Sequence, residues 1–410
     1  MRNSRFYPWV VVGLLWVVAL LNYMDRQMLS TMREAMQADI SELQKAEAFG
    51  VLMAVFLYIY GLMSPVAGVI ADRVNRKWLI VASLFVWSAV TYSMGMAVNY
   101  DQLLVLRAIM GFSEALYIPA ALAMIADYHT GSTRSLAVGI HMTGLYMGQA
   151  LGGFGATVAH EYGWHSAFHW FGIAGVGYAL ILALFLHEKK RVIPVGSGAV
   201  GPAKIPFLKG LAGLFSMTAF WVILFYFAAP SLPGWATKNW LPTLFADSLG
   251  IPMAEAGPLS TITIAVSSFA GVILGGILSD RWVAANVRGR IFTSAIGLGL
   301  TIPSLILLGM GDSFITVVGS AILFGVGFGM FDANNMPILC QFIPSRLRAT
   351  AYGFLNMAGV FSGALVTQVL GRFKDDGHFG AGFSILSVIV AAALILQLMV
   401  LRPKVVDYGE

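Results

Sequence analysis

The chain has 410 residues, of which 58% are hydrophobic and 11% charged, against about 25% charged in an ordinary soluble domain. Apolar stretches long enough to cross a bilayer recur from end to end, which excludes a soluble globule. The net charge of +5 comes from basic loops and gives no reason to expect nucleic acid, and the lone Cys340 rules out an internal disulfide or a cysteine metal cluster.

Twelve spans are predicted, near residues 6–30, 46–69, 78–98, 102–127, 134–159, 166–187, 208–246, 257–279, 291–310, 314–340, 348–371 and 380–401. Span 1 is too long for a removable signal peptide and carries Asp25-Arg26 near its end. Adjacent residues point about 100° apart on a helix, so Asp25 reads as a protonatable carboxyl and Arg26 as an anion ligand nearer the outside. Span 2 brings Tyr58 and runs into Gly68, Asp72 and Arg73, followed by Arg76 and Lys77. Span 4 holds Arg107 and Glu114 with no other charge in residues 103–125. A charge at the centre of a lipid-embedded helix costs about 2.5–3.5 kcal/mol, which marks both as functional. Seven residues make nearly two turns, so the two share a face about 10 Å apart along the axis. Glu114 is the first candidate for a proton carrier, and Arg107, whose planar fork binds a carboxylate bidentately, for gripping an anion. A substrate carboxylate and Glu114 competing for that guanidinium would couple protonation to binding.

Span 5 adds His141 and Gln149, and span 11 adds Asn356; with Tyr23 and Tyr58 these could hydrogen-bond substrate hydroxyls. His160, His165 and His169 sit beside Trp164 and Trp170, which suits an interface better than a metal site. Residues 188–206 form a polar linker between an N-terminal half (1–187) and a C-terminal half (207–410). Span 7 is too long for one straight crossing, and Pro230, Pro233 and Gly234 predict a kink or break. Its Lys238 could be a third anion ligand, but the expectation is a surface lysine at the outer rim. Of the 25 Lys and Arg, eighteen fall on the side that carries both termini and four on the other, so the termini are expected to be cytoplasmic. The absence of N-x-Ser/Thr sequons and the minimal external loops lean towards a bacterial inner membrane.

The halves repeat each other. GVIADR at 68–73 returns as GILSDR at 276–281, ending in Asp280 and Arg281. Gly111, Glu114, Ala115 and Pro119 return as Gly329, Asp332, Ala333 and Pro337, and Arg134, Ala137 and Gly139 as Arg348, Ala351 and Gly353. Asp332 has Gly325 where Glu114 has Arg107, so proton work is expected in the N-terminal half, with Asp332 hydrogen-bonded to Asn334, Asn335 or backbone. Parallel six-span repeats with a mid-membrane site between them belong to many secondary transporters. There is no nucleophile elbow, Gly-rich phosphate loop or metal-ligand spacing, so no enzyme and no bound cofactor is expected beyond protons as coupling ion.

GVIADRVNRK (68–77) resembles the loop signature of the major facilitator superfamily, with Asn75 where that signature usually has Gly. The resemblance implies an all-α membrane fold of twelve helices in two pseudo-symmetric six-helix halves. It also implies a gating loop built from Gly68, Asp72, Arg73, Arg76 and Lys77, with Asp280 and Arg281 as its second copy. Asn22-Tyr23-Met24-Asp25-Arg26, Arg107 with Glu114, Trp240-Leu241-Pro242 and Asn356 look like the anion:cation symporters, which include sugar-acid carriers. The same loop followed by Trp87-Ser88 and Val90-Thr91 is also similar to the Spinster lipid transporters. The expectation is a monomeric proton-coupled importer of a small organic anion such as a hexuronate or aldonate. The alternatives are a Spinster-like carrier of lysolipid or sphingoid phosphate, a proton-coupled exporter of drugs or metabolites, and a non-transporting receptor on the same fold.

Overall fold

The computed structural model describes residues 6–129, 133–188, 213–344 and 347–405; the side chains of Asp72, Ser135 and Ala349 lie outside that description. Nearly all of the linker 188–206, together with the loop cations Arg2, Arg5, Lys189, Lys190, Arg191, Lys204, Lys209 and Arg346, lies outside it as well. The described residues form twelve crossings and no strand. Span 1 is Tyr7–Leu29, span 2 Ala46–Arg73 and span 3 Arg76–Met94, followed by span 4 as Tyr100–Ala115 plus Tyr117–Tyr128. Span 5 is Arg134–Gly152 plus Gly155–Tyr162, and span 6 is Trp164–Phe185. Spans 7, 8 and 9 are Thr218–Leu249, Met253–Ala285 and Gly289–Met310. Span 10 is Phe314–Asp332 plus Asn335–Phe342, span 11 Arg348–Asp375 and span 12 Phe379–Val400. Among the described residues, eleven of the twelve are long and apolar enough to cross a membrane; span 5 is interrupted at Gly153.

The repeat read in the sequence is a repeat in space. Span 1 packs on span 5 as span 7 packs on span 11, span 2 on span 4 as span 8 on span 10, and span 3 on span 6 as span 9 on span 12. The shared Gly–acid–Pro frame has a steric reason. A Cβ on Gly111 would meet the Phe56 carbonyl oxygen of span 2 at 2.5 Å, and one on Gly329 the Ser268 carbonyl oxygen of span 8 at 2.3 Å. Each glycine therefore lets the acid-bearing helix touch its neighbour's backbone. Pro119 and Pro337 lack the N–H that would bond to residues 115 and 333, and the helices break there, at Ala115 and Asp332. Arg134 donates to the carbonyls of His129 and Ala126, and Arg348 to those of Ile343 and Cys340, so each ties down the end of the preceding span at the same two offsets.

Span 7 differs from its prediction: it is one helix of 32 residues running through Pro230, Pro233 and Pro242 without a break. Hydroxyls bond to carbonyls around the prolines, and a neighbouring span replaces one of the donors that they withhold. Ser231 donates to the Phe227 carbonyl at 2.7 Å, and Thr237 to those of Pro233 and Gly234 at 3.0 Å. Pro242 leaves the carbonyl of Lys238 without its intrahelical donor, and Gln27 of span 1 fills the gap at 2.8 Å.

The halves meet at one end only. On the linker face, Tyr7 bonds to the Phe185 carbonyl and Tyr128 to that of His187; the opposite end is the far face. There, both carboxylate oxygens of Asp375, at the end of span 11, accept from the backbone N–H groups of Ala46 and Glu47, at 2.8 Å each. This caps span 2 from the other half. Thr157 and Thr261 donate across to the carbonyls of Ala254 and Ala150, at 2.8 and 2.9 Å. Towards the linker face the contact dies out, the deepest partners being Asn356 with Ser64 at 3.3 Å and the rings of Tyr146 and Phe269, 5.7 Å apart. Beyond them Gly68, Gly139, Gly276 and Gly353 face open space. Gly68 thus permits a close approach that this conformation does not make, because the halves are apart at that level.

Candidate functional site

Span 1 delivers Tyr23, Asp25 and Arg26 to three different neighbours. Arg26 Nε donates to Glu114 Oε2 at 2.5 Å, an ion pair between spans 1 and 4 in which Glu114 is fully buried. The guanidinium of Arg26 lies 4.5 Å from the Tyr60 ring centre, 4.8 Å from that of Phe56 and 5.1 Å from that of Tyr23. These three electron-rich faces hold the cation in place. The sequence pointed to Arg107 as the partner of Glu114; the structure puts Arg26 there. Arg107 makes no ion pair among the described residues. It is 4% exposed, donates to Met110 Sδ at 3.1 Å, and its guanidinium lies over the Phe56 ring, 4.5 Å from the ring centre. Two turns of helix separate Arg107 from Glu114, and the shorter path runs between helices. Asp25 turns away from Arg26, as adjacency requires, and accepts from Thr91 of span 3 at 3.3 Å.

These four groups are two cations and two carboxylates inside one half. With both carboxylates ionised the charges cancel, and each proton taken up leaves one positive charge uncompensated. Glu114 Oε1, Arg26 Nη2 and Arg107 Nε are buried without a hydrogen bond, as is the whole amide of Asn22. Buried polar atoms left unpaired are costly, so such a cluster favours a proton or a ligand arriving.

Beside it lies a cavity of about 110 Å³ between the halves, lined by Tyr23 of span 1, Tyr146 and Gln149 of span 5, Thr237 and Lys238 of span 7, and Asp332 of span 10. Lys238 is therefore not a surface lysine of the rim. Its ammonium sits 4.8 Å from the centre of the Trp235 ring and within electrostatic reach of Asp332 and Arg26, with no ion pair among the described residues. Asp332 accepts from Asn335 at 3.1 Å, as its neighbours suggested, while Asn334 turns to the Met330 carbonyl. The place of Lys238 on the cavity wall fits the other reading of the sequence, a third cation available to an anion.

The remaining candidates divide. Tyr23 and Gln149 line the cavity; Tyr58 and Asn356 do not, and lie instead where the halves touch, against Phe361 and Ser64. His141 is fully buried in the N-terminal half, 2.9 Å from the Tyr117 hydroxyl, which in turn donates to the Leu15 carbonyl. On the linker face Arg76 donates to the Ala71 carbonyl and pairs with Asp127 at the end of span 4. Lys77 lies over the Trp78 ring, and Arg73, Asp280 and Arg281 are exposed. None of the described side chains of this loop reaches the other half. Among the described residues there is no cluster suited to a metal.

Comparison with known proteins places this geometry. Residues 15–367 match the model of the Major Facilitator Superfamily. The chain is 26% identical to a probable galactarate/D-glucarate transporter of Bacillus subtilis, covering 96% of this chain and 92% of that one. It is 23% identical to a hexuronate transporter of the same organism, covering 96% and 94%. Among solved structures, a bacterial homologue of the human lysosomal transporter Spinster, in an inward-facing and occupied conformation, superposes with a TM-score of 0.79. That match has 18% identity and covers 97% of both chains.

Proposed function

We infer the function from one premise: the chain belongs to the Major Facilitator Superfamily, and is a multi-pass membrane transporter rather than an enzyme. The reading is a proton-coupled symporter that imports a small organic anion, most simply a sugar acid such as a hexuronate or aldonate, by alternating access. The observation that carries it is the buried Arg26–Glu114 pair beside the cavity between the halves. The names of the relatives support the substrate class. Eighteen basic residues against four support a cytoplasmic linker face in a bacterial inner membrane. On that orientation the described conformation is open inward and closed outward.

The cycle follows from charge balance. Facing outward, Glu114 and Asp25 take up protons, Arg26 loses its internal partner, and a substrate carboxylate replaces it. The halves rock, the higher internal pH removes the protons, and Glu114 reclaims Arg26 and displaces the anion. The described pairing is the state after that release. Arg107, over the Phe56 ring, keeps the cluster's positive charge, while Arg26 lies against Tyr23, which lines the cavity. A lysolipid carrier on this fold finds less support: the Spinster likeness, at 18% identity, extends to the fold alone, whereas relatives named for sugar acids match nearly the whole chain at 23% and 26%.

The test is uptake into proteoliposomes with an imposed pH gradient. Glu114→Gln is expected to abolish accumulation while retaining substrate exchange, since Arg26 is then permanently free. Substrate affinity of the unmodified protein should rise as pH falls, because the protonated carboxyl is the one that releases Arg26, and that slope should flatten in the variant. A Glu114→Gln protein that still concentrates substrate like the unmodified one overturns the reading.

A further inference from the structure

The charge pair of the N-terminal half has an incomplete counterpart across the cavity. Asp332 stands at the repeat position of Glu114, but its cation, Lys238, comes from span 7 and is not bonded to it. Lys238 thus presents an ammonium to the cavity with an aromatic ring behind it and no anion in contact among the described residues. A desolvated cation without a counter-ion is unfavourable within a membrane protein, and an anionic ligand relieves it. Its backbone is tied to the span that carries Arg26: the Lys238 carbonyl, freed by Pro242, accepts from Gln27, the residue next to Arg26. The two cations therefore stand on opposite halves, close enough to repel each other.

We propose that Lys238 is a second carboxylate subsite and that the preferred substrate is a dicarboxylate, a six-carbon aldarate held by Arg26 at one end and Lys238 at the other. This rests on the sugar-acid reading above and narrows it. A dianion neutralises both cations and links the two halves through its own carbon chain. A monoanion bound at Arg26 leaves Lys238 uncompensated. Gln149 and Tyr23, on the same wall, face the hydroxyls between the ends. Asp332, held by Asn335 and not bonded to Lys238, leaves the ammonium free for the second carboxylate.

The experiment compares pH-driven uptake of galactarate and galactonate, open-chain six-carbon acids that differ in carrying a carboxylate or a hydroxymethyl group at carbon 6. The unmodified protein is expected to favour galactarate in kcat/KM by roughly tenfold or more, the scale of one charge-assisted contact. Lys238→Gln should collapse that ratio towards one, whatever happens to absolute rates, and Lys238→Arg should restore most of it. An unmodified protein without the preference, or a Lys238→Gln protein that keeps it, overturns the proposal while leaving sugar-acid symport intact. If neither compound is driven by the pH gradient, the broader reading falls and this one with it.

Discussion

Glu114 offers two oxygens to a fully buried site, and only one is used. Arg26 engages it through Nε, leaving Nη2 unbonded, so the guanidinium can bind a second carboxylate without first breaking every contact. A lysine in its place keeps the charge but loses the planar fork and its stacking on three rings. Arg26→Lys is expected to raise the substrate KM by about tenfold or more. Arg107→Lys, behind Phe56, should act mainly on the pH dependence of uptake, and the two profiles measured side by side check the distinction. All four charges of this cluster were legible in the sequence because charge in an apolar span is conspicuous. Their pairing was not, since spacing along one helix says how far apart two residues stand and nothing about which neighbouring helix supplies the nearer partner. In the sequence Lys238 reads as a rim lysine before an anion ligand for a related reason: only the packing of span 7 against the other half shows that it faces the cavity.

At the scale of elements, two helices depend on the opposite half for a bond they cannot make themselves. The Lys238 carbonyl needs Gln27 because Pro242 has no N–H to give. Pro242→Ala would return that carbonyl to its own helix, so Gln27→Ala and Pro242→Ala should not be additive. Thermal melting of the purified protein should show the double variant no worse than the more damaging single one. The first turn of span 2 likewise borrows its cap from Asp375. Asp375→Ala should cost the far-face-closed state about 1–2 kcal/mol and shift the population towards far-face opening by roughly five- to thirtyfold. Spin-label distances between the halves on that face measure the shift. The twelve crossings and the internal repeat could be read from hydropathy and matching motifs. The unbroken span 7 could not, because the cross-half donor that fills the gap left by Pro242 is visible only once the helices are packed.

For the whole molecule, the stripes that join the halves continue past the point where contact stops. Along span 2 the stripe runs through Gly50, Gly61 and Ser64, and Gly68 is its next member; along span 11 it runs through Thr367 and Asn356 to Gly353. Spans 5 and 8 run through Tyr146 and Phe269 to Gly139 and Gly276, each seven residues on. Four residues without side chains therefore wait where the linker face must close. Gly139→Leu or Gly353→Leu is expected to leave binding from the linker face intact and to stop net transport, which equilibrium binding and uptake on one preparation would separate. The place where contact ends is also a fulcrum. Tyr60, against Arg26, precedes Gly61 and lies near the middle of span 2, about 20 Å from either end. A tilt of about 10° there moves each end by roughly 3.5 Å. In the proposed cycle a proton arriving at Glu114 would act at the pivot of a lever, where the smallest local adjustment becomes the largest displacement at the two mouths.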